Sequence, residues 1–202
     1  FRSDGAVIDL LAWVLATPFL LLLAYLLVEL TAGLARLTPR DPGPPPAHIV
    51  LLIPAHDEAA SIAETVRALA AASPTAHILV VADNCSDDTA DCARAAGAEA
   101  IERNDREQPG KGVALAFGRD HLAGAPPDAV IVVDADCRMD TGSAERLAAA
   151  ALISGAPVQA SNLLASPPGV SPLVSISNFA MLVKNVVRAR GLLRIGGGAL
   201  LF

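Results

Sequence analysis

The stretch Ala129-Val130-Ile131-Val132-Val133-Asp134-Ala135-Asp136 decides the fold: an apolar run of strand length leads directly into two carboxylates two positions apart. A continuous apolar run is expected where both faces of a strand are covered, as in a parallel sheet. On its upstream side, Lys111 to Leu122 has a helical pattern that Pro126-Pro127 breaks; downstream, Ser143 to Ile153 is helical again. The same alternation extends back along the chain. His48 to Ile53 is an apolar strand ending at Pro54. Ala59 to Ala72 places Ile62, Val66 and Leu69 at helical spacing and is stopped by Pro74. His77 to Val81 is a second strand closed by Asp83-Asn84, Thr89 to Ala96 a helix terminated by Gly97, and Ala98 to Glu102 a weak third strand. Strands alternating with helices predict an α/β chain with a mostly parallel sheet flanked by helices.

In an open sheet of this kind, ligands bind outside the carboxyl ends of the strands. Three polar turns fall at those ends: Pro54 to Glu58, Asp83 to Asp88 and Asp134 to Asp136. Together they predict one site. Asp134 and Asp136 suit a hard cation, Mn²⁺ or Mg²⁺, which would also bind a diphosphate; the alternative is a solvated turn with Asp136 capping nearby backbone. Asp83 is expected to contact ligand, with Asn84 beside it, while Asp88 is the better candidate for the helix N-cap. Gln108-Pro109-Gly110-Lys111-Gly112 sets a lysine between glycines at a helix start. That places charge near a nucleotide or diphosphate, although the spacing is not that of a P-loop.

Leu10 to Val28 is 19 residues without a charge, flanked by Asp9 and Glu29. At about 1.5 Å per residue it covers roughly the 30 Å bilayer core. It is longer than a signal-peptide core and lacks a clear cleavage site, so a transmembrane helix over residues 6–35 is expected, with a buried core helix as the alternative. Arg36 and Arg40 follow it, whereas Arg2 is balanced by Asp4, which places the next domain on the cytoplasmic side of the cell membrane. Residues 36–47 form a stiff proline-rich linker. The net charge of −6 offers no basic stripe for nucleic acid. Cys85, Cys92 and Cys137 form no CxxC pair; they read as small buried residues of a reducing compartment. The start at Phe1 and the apolar, glycine-rich end from Gly196 to Phe202 suggest a piece of a longer protein.

Ile53-Pro54-Ala55-His56-Asp57-Glu58, Val80 to Thr89, Gly110-Lys111-Gly112 and Val132 to Asp136 occur in the order found in family 2 glycosyltransferases. The chain resembles that family over Ile49 to Asn162. Val158 to Asn162, followed by a long helix to Arg194, is similar to its membrane-bound, polysaccharide-synthase-like branch. The resemblance implies a GT-A (Rossmann-like) fold and inverting transfer from a nucleotide-diphosphate sugar, usually a UDP-sugar. It implies that Pro54, Ala55, His56, Glu58, Asp83 and Asn84 hold the nucleotide and that Lys111 lies near base or diphosphate. Asp134, Ala135 and Asp136 would form the metal-binding DxD, with Asp136 nearest the metal. Residues 48–165 become the nucleotide-sugar-binding domain and 166–202 the start of an acceptor-side region.

His56-Asp57 stands where the family often has Tyr-Asn or His-Asn, and Asn84 replaces a frequent second Asp. The family's acidic base lies well downstream of the DxD, whereas after Asp140 only Glu145 is acidic. The base is therefore expected beyond Phe202. In the final helix Leu173, Ile176, Ala180, Val183 and Val187 form a stripe that lies either at a membrane surface or in ordinary packing. Three functions are open: sugar transfer to a saccharide or lipid-linked acceptor, nucleotidyl transfer on a similar sheet, and a non-catalytic nucleotide-binding partner of a membrane complex.

Overall fold

A computed structural model describes residues 3–35, 43–161, 169, 171–196 and 200–201. The expectations placed on Arg2, Arg36, Arg40, the linker residues up to Pro42 and Asn162 lie outside the described residues. The chain forms two compact units, Phe1–Arg40 with Pro157–Phe202, and Asp41–Ala156.

The unit Asp41–Ala156 contains β1 (Ile49–Ala55), β2 (His77–Asp83), β3 (Glu99–Arg103) and β4 (Ala129–Val132), all parallel, in the order β3-β2-β1-β4. The first helix of the chain, α1, belongs to the other unit; here α2 (Ile62–Ala72), α3 (Thr89–Ala95), α4 (Lys111–Leu122) and α5 (Ser143–Ser154) connect and follow the strands. Alternation along the strands divides the core. Leu51, Ile53 and Val80 face one way, packed with Ile62, Val66 and Leu69 of α2, Ala93 of α3 and Ala148 of α5. Val50, Leu52, Leu79 and Val81 face the other way, against Ala114 of α4.

Two expectations change. β1 runs through Pro54, which pairs with Val81, instead of ending before it. Pairing with β4 stops at Leu52, so a residue without an N–H costs no ladder bond on that side. β4 is not covered on both faces: Val130 and Val132 are 46% and 49% exposed. On that face α4 packs over β1, β2 and β3.

In the other unit, α1 (Ser3–Leu34) is a continuous helix with Pro18 inside it. Ala6–Leu34 contains an 18-residue window of mean hydropathy 2.4 and is long and apolar enough to cross a membrane. Glu29 does not end the apolar helix as a solvated flank; it is fully buried, with Arg188 Nε 2.8 Å from its Oε2. The chain from Pro172 is helical to Arg194: α6 (Pro172–Leu182), a π-helical segment (Val183–Arg188) and α7 (Ala189–Arg194). Gly33 and Gly191 lie where the helices touch. A Cβ at Gly33 would stand 1.9 Å from the Val187 carbonyl oxygen, and one at Gly191 2.0 Å from that of Glu29. Leu173 and Ile176 of the expected stripe are exposed, and the buried residues from Pro172 to Arg194 are Val186 and Gly191.

Candidate nucleotide and metal site

The parallel arrangement brings the ends of β1 and β2 together with the N-terminus of α4, and between them lies a cleft of about 330 Å³. Pro54 and Ala55 of β1 and His56 just after it line it, with Asp83 ending β2, Asn84 following it, Pro109 and Gly110 leading into α4, and Lys111 and Ala114 in its first turn. Six of the expected nucleotide-site residues, Pro54, Ala55, His56, Asp83, Asn84 and Lys111, therefore share one cavity. Its size falls within the usual ligand-pocket range of roughly 300–1,000 Å³.

Asp83 forms the fixed end of the cleft. It is buried, and Arg103 at the end of β3 donates Nη1–H to its Oδ1 at 2.7 Å. Asn84 Nδ2 donates to the same oxygen at 3.1 Å and to the Asp105 carbonyl at 3.0 Å, while Asp105 N–H donates to Asn84 Oδ1 at 2.8 Å. Arg103 Nη2 is shared by Asp105 Oδ2 and the Gln108 carbonyl at 2.9 and 2.8 Å. A buried carboxylate needs such pairing, and the network leaves Asp83 Oδ2 with one weak neighbour, the Gly110 N–H at 3.5 Å. Sequence reasoning missed Arg103; its signal was a lone arginine closing a weak strand twenty residues after Asp83.

His56 Nδ1 lies 2.7 Å from the Asp83 carbonyl oxygen, so Nδ1 carries the proton and Nε2 the lone pair when the ring is neutral. That hydrogen bond raises the His56 pKa above its ordinary value, with desolvation opposing and the charges of Asp57, Asp83 and Asp87 adding to the rise. Asp57 and Asn84 both have left-handed backbones, φ 52° and 53°, uncommon outside glycine, which turn the chain sharply after β1 and β2.

Glu58 points elsewhere. Its Oε2 accepts the Ser61 hydroxyl at 2.6 Å and its N–H donates to Thr89 Oγ1 at 2.8 Å, so it joins the starts of α2 and α3 rather than lining the cleft. Asp88 occupies the N-cap of α3 as expected, though without a side-chain cap bond; the neighbouring Asp87 accepts the Thr89 N–H at 3.0 Å and the Ala59 N–H at 3.0 Å. The Thr89 hydroxyl also donates to Asp87, the first cause of its lowered pKa.

After β4 the chain turns, and Asp134 and Asp136 are exposed while Ala135 is buried between them. One ligand atom each from Asp134, Asp136 and Cys137 lie within 4.8 Å of one another. Carboxylate oxygens in an open turn are the donor set of a hard divalent cation, so the residues present fit Mn²⁺ or Mg²⁺. Lys111 Nζ is ion-paired to Asp134 Oδ1, linking the cleft to this carboxylate pair. Asp134, Ala135 and Asp136 do not line the cleft itself. Cys85, Cys92 and Cys137 are free and half-buried rather than buried.

Residues 50–162, more than half of the chain, match the sequence model of glycosyl transferase family 2. The chain belongs to that family. Among solved structures, this family 2 chain is similar to a mannosyltransferase from Pyrobaculum calidifontis in complex with GDP-Man and Mn²⁺. That likeness has 22% identity and TM-score 0.51, covering 68% of this chain and 40% of that one. A mannosyl-3-phosphoglycerate synthase from Rubrobacter xylanophilus is 24% identical, with TM-score 0.47, over 64% of this chain and 44% of that one. The chain thus spans less than half the length of either protein. Family and likeness together show the GT-A-type sheet. No functionally curated protein matches the sequence.

Proposed function

We propose that this chain is the donor-binding part of an inverting glycosyltransferase. It takes its sugar from a UDP-sugar and passes it to a saccharide or lipid-linked acceptor, at the cytoplasmic face of the inner membrane, in polysaccharide synthesis. The observation that carries the reading is Lys111: it lines the cleft with Asp83 and Asn84 and is paired with Asp134 of the carboxylate turn. A nucleoside diphosphate has the same layout, with a base at one end and a diphosphate that needs cationic partners at the other.

In this reading Asp83 Oδ2, held from behind by Arg103, accepts an N–H of the base. Asn84 and His56 bound the base and ribose, and Lys111 turns from Asp134 to the diphosphate. Asp134 and Asp136 hold Mn²⁺ or Mg²⁺, which neutralises charge on the leaving diphosphate. Glu145 accepts hydrogen bonds from Ser73 at 3.2 Å and Thr75 at 3.4 Å, so it is not proposed as the general base. The apolar, exposed length of α1 supports the membrane part of the reading. Family membership favours sugar transfer over nucleotidyl transfer.

Calorimetry on the full chain in detergent tests the proposal, with UDP and GDP, with and without Mn²⁺, beside Asp136→Ala. Expected is Mn²⁺-dependent UDP binding that the variant loses. Preference for GDP would remove the uridine assignment. A folded chain that binds neither nucleotide would overturn the donor-binding reading.

A further inference from the structure

We propose that His56, Asp57 and Cys85 form a second metal site, for a borderline-soft divalent cation of the Zn²⁺ class, separate from the carboxylate pair Asp134 and Asp136. Neighbouring parallel strands create it. Ala55 pairs with Ala82 in register, so the residues after β1 and β2 emerge side by side. One ligand atom each from His56, Asp57 and Cys85 then lie within 4.8 Å of one another.

Each side chain is already oriented. His56 donates Nδ1–H to the Asp83 carbonyl at 2.7 Å, the arrangement that fixes a metal-binding imidazole, and its Nε2 stands 3.8 Å from Asp57 Oδ2. Asp57 is held through Oδ1 by the Ser86 N–H at 2.6 Å. Cys85 Sγ accepts the Asp57 N–H at 3.4 Å. One nitrogen, one oxygen and one sulfur with a fourth position open is a zinc ligand set. Bonds of about 2.0–2.3 Å put tetrahedral ligands roughly 3.3–3.8 Å apart, so the cluster contracts by at most about 1 Å on binding. The His56 and Asp57 side chains, 65% and 41% exposed, have room for that. The DxD turn offers hard carboxylates that suit Mn²⁺ or Mg²⁺, whereas imidazole with thiolate selects the softer ion. The site shares His56 with the cleft of the proposed function, and titration with metal alone, without nucleotide, tests it apart from that reading.

The test is Co²⁺ titration of the reduced full chain, followed by absorption, with Zn²⁺ displacement giving the affinity. Expected is one equivalent of tetrahedral Co²⁺ with a thiolate charge-transfer band. The band persists in Cys137→Ser and vanishes in Cys85→Ser, which weakens Zn²⁺ binding at least ~10-fold. His56→Gln weakens it similarly. Serine keeps an acceptor for the Asp57 N–H, and unchanged circular dichroism establishes that the variant is folded. No band in the folded wild type, or a band that survives Cys85→Ser, overturns the proposal. So does a band lost only in Cys137→Ser, which would put the thiolate site at the DxD turn.

Discussion

The Thr65 hydroxyl donates to the carbonyl oxygen of Ala135 at 2.6 Å, tying α2 to the turn that carries Asp134 and Asp136. Thr65 and Ala135 are both 7% exposed, so water does not replace the bond if it is lost. Thr65→Val keeps the shape and leaves a buried carbonyl unpaired, which costs about 1–3 kcal/mol. Urea denaturation should show that loss for Thr65→Val and little of it for Thr65→Ser. Mn²⁺ affinity should fall in the same order, because the bond positions the two carboxylates. Equal stability of both variants would show that the turn does not rest on this bond.

Lys111 is ion-paired with Asp134; in the proposed function it competes there with metal and serves the diphosphate. Lys111→Met should therefore act with opposite signs on two ligands. Mn²⁺ alone should bind more tightly, by at most about fivefold, since a half-exposed pair is worth only ~0–1 kcal/mol. Nucleoside diphosphate with Mn²⁺ should bind more weakly. Parallel titrations of wild type and variant check both signs; a weakening of both would place Lys111 in support of the turn instead.

Glu99, at the start of β3, accepts from His77 Nε2 at 2.7 Å and His121 Nε2 at 2.6 Å. The His77 bond, then His121, hold its carboxyl below the ordinary value of 4.5 against the opposing effect of burial. A depressed folded pKa means stabilisation that is complete above the ordinary value and is lost as pH falls through the folded one. The stability advantage of wild type over Glu99→Gln should thus shrink on acidification below pH 4.5. Denaturation curves at neutral and acid pH test this, and an advantage that grows in acid would reverse the sign.

Gly118 and Gly112 lie on the same helix and should respond oppositely to alanine. At Gly118 a Cβ would stand 2.6 Å from Leu52 Cδ1 and 3.1 Å from Val81 Cγ2, inside the core. Overpacking of about 1–3 kcal/mol exceeds a helix-propensity gain of about 1 kcal/mol. Gly118→Ala should lower the denaturation midpoint. A Cβ at Gly112 meets nothing within 4 Å, and that substitution should leave stability level or raise it by up to about 1 kcal/mol.

The sequence by itself determined the βαβ order, the bounds of α4 and the placement of three polar turns at strand ends. Apolar periodicity and proline or glycine punctuation are local properties, and they record which face of each element is covered. Pro54, Ala55, His56, Asp83, Asn84 and Lys111 were legible because turns at the carboxyl ends of neighbouring parallel strands must converge. Contacts between residues far apart in the chain were not legible. Only the tertiary structure paired Arg103 with Asp83, Thr65 with Ala135 and Glu29 with Arg188, turned Glu58 towards Ser61 and joined Asp87 to the Ala59 N–H. Each such partner is set by how the strands pair and how a helix packs on a neighbour, and no periodicity in one dimension encodes that.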